Sequence, residues 1–463
     1  MKHLAILTLL AATLSGCGTL ADRLSPKGGQ PSTPKSFKQE SASTKKPSKR
    51  IESWWKIFDD PTLNKLVKRL HDNNPDLAAA MARLDQSYAT VGQTRAGLFP
   101  TLRGTGSAGR QRDSLNQLLF PISEPEYARY RLGASATWEI DLWGRVRSMA
   151  KRDQLQAERE KELFYDAQLS LETNLARQYL AWQFARKEVE ILTEAIRVRE
   201  EDFRLQEARL ELGSGIEVDV SRSRVELSTA QSAAEAASRS QGKLEHAIAV
   251  LVGLAPSEMK SLAPAKTITP PKVPAGLPSS LVEQRPDLRA ADKHLRSAAA
   301  QVGVRNVDFL PRISLTGSGG VASLRSSNLF DPNSKFFNVG PEIDVPLFQA
   351  GKARSADAEA KAAWRESAAD YRSTLLEAVR EVDDALLDLK SLARELTSQQ
   401  RAVTAAHDTS EIARLRHERG LASYFEVVEA ERERLTARRA ENALQGERLA
   451  ATVRLIQALG GTW

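Results

Sequence analysis

The chain is one unit written twice. Asn74-Pro75-Asp76-Leu77 returns as Arg285-Pro286-Asp287-Leu288, and Phe99-Pro100 returns as Leu310-Pro311. Glu139-Ile140-Asp141-Leu142 returns as Glu342-Ile343-Asp344-Val345, and Arg209-Leu210-Glu211-Leu212-Gly213 as Arg416-His417-Glu418-Arg419-Gly420, while Gly253 is matched by Gly460. The copies lie about 210 residues apart, far beyond the period of a solenoid, so the repeated object is a domain-sized unit. Whatever one copy folds into, the other has to fold into as well.

Two proline-free stretches, Gly144 to Gly213 and Gly351 to Gly420, dominate each unit. In the first, Leu175, Trp182, Val189, Ile196, Phe203 and Leu210 stand seven apart; in the second, Leu375, Val382, Leu389, Leu396 and Val403 do the same. Sustained heptads of this kind predict helices that pack lengthwise, over 144–212 and 351–419, each about 100 Å long. Return helices are expected over 218–252 and 425–459, and further helices over Leu63 to Leu98 and Leu281 to Phe309. Each long rod is thus matched by two shorter ones laid end to end, the pattern of a tube wall with a belt where the breaks fall. Aromatic residues make up only 6% of the chain, which suits such a thin core.

Four segments change period from seven to two. Over 128–141, Ala128, Tyr130, Leu132, Ala134, Ala136, Trp138 and Ile140 alternate with Arg129, Arg131, Gly133, Ser135, Thr137, Glu139 and Asp141. Segments near 100–110, 312–322 and 336–346 alternate in the same way. Strands with one apolar and one polar face are expected, and their length suits either a bilayer-crossing barrel or a soluble hairpin sheet laid on a helix. Four strands cannot close a barrel in lipid, where unpaired edges are costly, whereas three copies would supply twelve. If the strands cross a membrane, then, counting gives a trimer. The charges on the polar side, Arg129, Arg131, Glu139, Asp141, Arg312, Glu342 and Asp344, would line its lumen and are of both signs.

The amino terminus has the form of an export signal. Lys2, the apolar run Leu4 to Leu14 and then Leu14-Ser15-Gly16-Cys17 match a lipoprotein signal peptide over 1–16, with the only cysteine of the chain at the site of acylation. A stretch this short cannot remain as a membrane-spanning helix. Several acyl chains on Cys17 would anchor stably, at about 0.8 kcal/mol per buried methylene. Residues 17–50 are rich in Ser, Pro and Lys and are expected to form a flexible basic tether. The net charge of +7 sits entirely within residues 1–50, nine basic residues against two acidic. The remainder is neutral, so the high pI is no sign of a nucleic-acid partner.

Trp54-Trp55, Asn74-Pro75-Asp76-Leu77, Phe99-Pro100, Trp138-Glu139-Ile140-Asp141-Leu142-Trp143-Gly144, Arg285-Pro286-Asp287-Leu288 and the Gly420 turn, set in the duplicated layout, resemble the TolC-like outer-membrane factor family, in particular its lipoprotein branch serving RND-type multidrug efflux. The resemblance extends from Cys17 to Trp463, with repeats at 51–277 and 278–463. It implies a mainly α protein with a membrane β-barrel: a homotrimer closing a twelve-stranded barrel in the outer membrane, continued by an α-helical barrel across the periplasm. It further implies a passive efflux duct, without cofactor or metal, served by a periplasmic adaptor and an inner-membrane pump. Adaptor docking falls by position on Arg209, Gly213, Ser214, Arg416, Gly420, Leu421, Ala422 and Ser423. Glu426 and Glu429 match acids that ring the closed mouth in the family, where Asp is usual; the competing reading is an ordinary helix start favoured by the macrodipole.

Enzymatic signals are weak. Gly104-Thr105-Gly106-Ser107-Ala108-Gly109 has dinucleotide-motif spacing but sits in an expected strand instead of a βα turn. Gly351-Lys352 lacks the rest of a P-loop, and His3, His71, His246, His294, His407 and His417 are scattered. Two other readings use the same features: the duct of a type I protein secretion system, and a coiled-coil envelope lipoprotein without transport. The second has no need of alternating strands placed twice between helices.

Overall fold

Prolines decide where the helices begin. The computed structural model of the chain describes residues 20–26, 37–38, 53–112, 114, 126–264, 271, 281 and 284–461. After α1 (Leu20–Leu24) and a 3-10 turn at Trp54–Phe58 come α2 (Pro61–Asn73) and α3 (Pro75–Ala96). The Asp60 carboxylate accepts from the backbone N–H of Thr62 and Leu63 at 2.7 and 3.2 Å, capping α2 with Pro61 in its first turn. One helix from Leu63 to Leu98 was the expectation; instead Asn74 is extended, because the residue before a proline is disfavoured in helical backbone. Similarly α6 runs Pro286–Arg305, shorter than 281–309, with Arg285 ahead of its proline.

The long helices are α4 (Arg145–Glu211) and α7 (Lys352–Glu418), 67 residues each, and the return helices are α5 (Glu217–Leu251) and α8 (Tyr424–Ala458), 35 residues each. All four end on a glycine of positive φ, at Gly213, Gly420, Gly253 and Gly460. At every one, the next residue donates to a carbonyl five residues earlier and the glycine itself to a carbonyl three residues earlier, the Schellman closure that satisfies a helix's last carbonyls. The glycines noted in the sequence are thus one cap used four times.

Compact units do not follow the sequence repeats. One comprises residues 83–161 and 290–372 with the first 31 residues, the other residues 32–82, 162–289 and 373–463, so each draws on both copies. The first holds the sheet: β1 (Thr101–Arg112), β2 (Glu126–Glu139), β3 (Arg312–Ser323) and β4 (Lys335–Asp344), antiparallel and in the order β1-β2-β3-β4. Register aligns Leu102 with Ala136, Gly317 and Val339 on one face, and Arg103 with Ser135, Ser318 and Asn338 on the other. The apolar side is largely exposed, with Leu102 at 78% and Phe337 at 86%, so this sheet hides neither face within its own chain. Asp141 is not a strand residue: its carboxylate accepts from the backbone N–H of Val146 and Arg147 at 3.0 and 2.9 Å, capping α4.

The second unit carries the apolar core. Trp54, Leu63, Leu70, Leu175, Tyr179, Trp182 and Ile248 form one cluster, and Leu281, Leu288, Leu375, Val382 and Leu455 another. The heptad positions are therefore buried near the middle of each rod, whereas Leu210 near one end is 38% exposed. Both copies make the same joint here. Asn74 Nδ2 donates to the Leu251 carbonyl at 2.8 Å, and Arg285 Nη1 to the Ala458 carbonyl at 2.9 Å. Backbone packs so closely beside them that a Cβ on Gly253 would lie 2.3 Å from Asn73 O, and one on Gly460 2.9 Å from Gln284 O.

The flexible tether expected over 17–50 has two seated points. In the first unit Ala21 is buried, Lys151 Nζ meets Asp22 at 2.8 Å, and Asn306 Nδ2 donates to the Leu24 carbonyl at 3.1 Å. In the second, Phe37 joins the Leu281 cluster and the Lys38 N–H donates to Asp383 at 2.8 Å. Cys17 and most of the tether lie outside the described residues.

Candidate functional site: the helical turns

The two turns joining long to return helices are built alike. Ser214 N–H reaches the Arg209 carbonyl at 2.9 Å, and Leu421 N–H the Arg416 carbonyl at 2.8 Å, so Arg209 and Arg416 are equivalent cap positions. Nothing lies within 4 Å of a Cβ built on Gly213 or Gly420; these glycines serve φ values of 71° and 72° and not a steric need. Gly215 is different, since its Cβ would lie 2.8 Å from Leu210 N, and it was not singled out in the sequence. Leu212, Ile216 and Leu421 are exposed at 83%, 60% and 66%.

Contacts join the turns to each other. Arg209 Nη1 lies 2.9 Å from His417 Nε2, and His417 Nδ1 lies 3.0 Å from the Ala422 carbonyl. A carbonyl and a guanidinium leave one consistent tautomer: Nδ1–H donates to Ala422, and the Nε2 lone pair accepts from Arg209. His417, passed over in the sequence as one of several scattered histidines, therefore links two of the expected tip residues, Arg209 and Ala422. No spacing pattern marks it, because its counterpart in the first copy is Leu210. Across the same turns the Arg222 guanidinium lies 5.1 Å from the Phe425 ring centroid.

Glu426 and Glu429 are not bare acids. Ser423 and Glu426 form a reciprocal capping box at 3.4 Å in each direction, and Glu426 lies 3.8 Å from Arg416 Nη1. Glu429 pairs with Arg432 at 2.9 Å, and Arg432 reaches the buried Glu226 at 2.5 Å, which Arg199 also holds at 3.1 Å. Each acid thus faces a guanidinium, and the hydrogen bond and charge of Glu226 raise the Arg432 pKa. Nearby, burial pushes the Asp202 carboxyl up. Burial, together with the charges of Asp202 and Glu226, raises the Tyr424 hydroxyl.

A sequence model of outer membrane efflux proteins matches the chain twice, over residues 66–254 and 277–461. The chain belongs to the outer membrane efflux protein family. Toluene efflux pump outer membrane protein TtgC of Pseudomonas putida is 30% identical over 472 residues, covering 100% of this chain and 96% of that protein. The probable outer membrane lipoprotein SilC of Salmonella typhimurium is 27% identical over 476 residues, covering 100% and 99%. The crystal structure of the CmeC outer membrane channel of Campylobacter jejuni superposes with a TM-score of 0.88 at 26% identity, over 95% of this chain and 94% of that one.

Among the described residues no helix is long and apolar enough to cross a bilayer. Gly104 to Gly109 lie within β1, and the next element among the described residues is the strand β2, so these glycines do not form a strand-to-helix phosphate-binding turn there. Among the described residues no cluster of His, Cys, Asp and Glu could hold a metal ion. His71 is instead structural: its Nε2 lies 2.7 Å from Glu172, which also accepts from Trp54 Nε1 at 2.8 Å.

Proposed function

We propose that three copies of this efflux protein close their sheets into a twelve-stranded barrel and form a passive outer-membrane duct for small molecules. An inner-membrane pump, of RND type by the family resemblance, supplies energy and selection through a periplasmic adaptor. The observation that carries this reading is the sheet. It is four strands wide, apolar and exposed on one face, polar on the other, and open at β1 and β4. Edges left unpaired in hydrocarbon cost several kcal/mol per polar group, so β4 of one copy pairs with β1 of the next. Small-molecule cargo, in preference to a secreted protein, is supported by the name of the toluene efflux relative. An acyl anchor on Cys17 is supported by the lipoprotein relative and by α1, which begins three residues beyond Cys17 and is seated in the sheet-bearing unit.

In this reading the turns are the docking tips for the adaptor, through Arg209, Gly213, Ser214, Arg416, Gly420, Leu421, Ala422 and Ser423. Glu426 and Glu429 form the gate. Opening it requires that their bonds to Ser423, Arg416 and Arg432 be exchanged, after which six carboxylates line the mouth of a trimer and attract cations. The test is single-channel recording of the wild-type trimer and of Glu426→Gln/Glu429→Gln in planar bilayers. Fewer closures at the mouth and reduced cation preference are expected; unchanged gating and selectivity would remove the gate assignment. Crosslinking from cysteines placed at Ser214 and Ser423 is expected to capture the adaptor, and capture equal to that from a mid-helix control would refute docking at the tips.

A further inference from the structure

Strand register sorts the charges of the polar face by height. Toward the helical ends of the strands stand the acids Glu139, Glu342 and Asp344. Arg145 grips Glu139 at 2.7 and 3.1 Å, and Asp344 lies opposite Arg312. Ten residues along β2, about 33 Å of strand, stand Arg129 and, one pleat nearer, Arg131, with Arg103 of β1 between the two ends opposite Ser135. From Gly133 to the hairpin ends, no acid occupies this face among the described residues. Glu126 has the opposite parity and lies 3.9 Å from Arg110 on the apolar side.

One of these arginines is held by a built contact. The Arg131 guanidinium lies 4.3 Å from the centroid of the Phe336 ring. Room for that ring comes from missing side chains: a Cβ on Gly133 would lie 3.3 Å from its Cζ and 2.9 Å from Gly319 O. On Gly320 a Cβ would lie 2.2 Å from Leu132 O. A cation–π contact of this kind restrains the guanidinium over the ring, and an arginine so held can still offer N–H donors to a planar oxyanion.

We infer that the half of the lumen nearest the strand hairpins is an anion-attracting filter, in which Arg129 and Arg131 favour solutes bearing carboxylate, phosphate or sulfonate groups. The inference rests on the duct reading above, which turns two arginines per chain into six around one bore. Low-dielectric walls focus the field of such a ring, and the effect weakens with salt. Within the duct reading this preference is opposite in sign to the one expected at Glu426 and Glu429.

Planar-bilayer recording tests this with the full-length trimer under a KCl gradient and with citrate added on the barrel side alone. Wild-type pores are expected to show transient block by citrate from that side. Arg129→Gln/Arg131→Gln is expected to lose the block and to lower the anion-to-cation permeability ratio about threefold or more. Arg131→Lys, which keeps charge without the stacked plane, is expected to keep the ratio and shorten each block. Pores whose ratio and block are the same in the double variant as in wild type overturn the filter and leave the duct intact. A wild-type trimer that forms no pore overturns both.

Discussion

Asp166 is expected to act as a pH-dependent weak point of the second unit. It projects from α4 beside Arg285, Asp287 and Glu381 around a cavity of about 200 Å³. Burial, reinforced by the negative charges of Asp287 and Glu381 and opposed by Arg285, raises its pKa from 3.8 to about 6. The folded state therefore holds this proton more tightly than the unfolded chain. Its stabilising effect is fully present below about pH 4 and is lost as pH rises through about 6. A shift of about two units corresponds to roughly 3 kcal/mol of stability missing at pH 7.5. Asp166→Asn removes the charge and also its attraction to Arg285, so a gain of about 1–3 kcal/mol is expected at pH 7.5 and almost none at pH 3.5. For a chain of this length that is a rise of about 1–3 °C in the midpoint of thermal unfolding of the detergent-solubilised protein. A variant no more stable than wild type at pH 7.5 would refute the reasoning. So would one equally stabilised at both pH values, since only a titrating charge gives the difference between them.

Two further substitutions probe the seats described above. A Cβ at Gly303 would lie 2.3 Å from Ser25 Oγ and 2.4 Å from Ala21 O, so Gly303→Val is expected to expel α1. The readout is faster protease cleavage near Arg23, and unchanged cleavage would show that α1 is not seated there. Gly420→Ala has open space for its methyl group but a φ of 72°, so about 1 kcal/mol of strain is expected at the second turn. Faster amide exchange over residues 416–423, with the rest of the chain unaffected, checks it; uniform exchange would show that the cap is not under φ control.

How far the sequence was legible follows from what each signal measures. Period seven and period two are properties of faces, and they located the long helices and strands to within two residues of the observed ends, from Arg145 to Glu211 and from Arg312 to Ser323. They could not place breaks set by a single dihedral, which is why Asn74 interrupts what reads as continuous helix. Nor do they report what an end residue does once alternation stops. Asp141 continues the polar parity of β2 in the sequence but caps α4, because four unsatisfied N–H groups at a helix start are a stronger demand than a lumen-facing position. Composition misled for the tether as well. Its Ser, Pro and Lys content describes the average of residues 17–50, whereas docking at Ala21 and Phe37 depends on two small apolar contacts that averaging hides.

The duplication itself separates architecture from function. The caps and joints are the same in both copies, at Gly213 and Gly420, at Gly253 and Gly460, and at Asn74 and Arg285, because each copy has to turn its helices at the same places. Aligned on those glycines, the turns themselves diverge. Ile216 stands where the second copy has Ser423, Asp219 where it has Glu426, Arg222 where it has Glu429, and Leu210 where it has His417. In the first copy, whose return helix opens with Glu217 and Asp219, Arg222 lies 3.8 Å from Asp219, and the turn lacks a capping hydroxyl. The second concentrates two acids behind Ser423 and borrows its cations from Arg416 and Arg432. A pair of turns serving only to reverse the chain would have no reason to differ in charge. The proposed gate supplies one: release at the second hairpin would exchange the contacts of Arg416 and Arg432 with Glu426 and Glu429. Exchanging Glu429 and Arg222 between the turns would leave net charge unaltered while moving the acid to the other hairpin. If net charge at the tips were all that mattered, such an exchange would be silent in single-channel recordings; the proposed gate predicts altered closures instead.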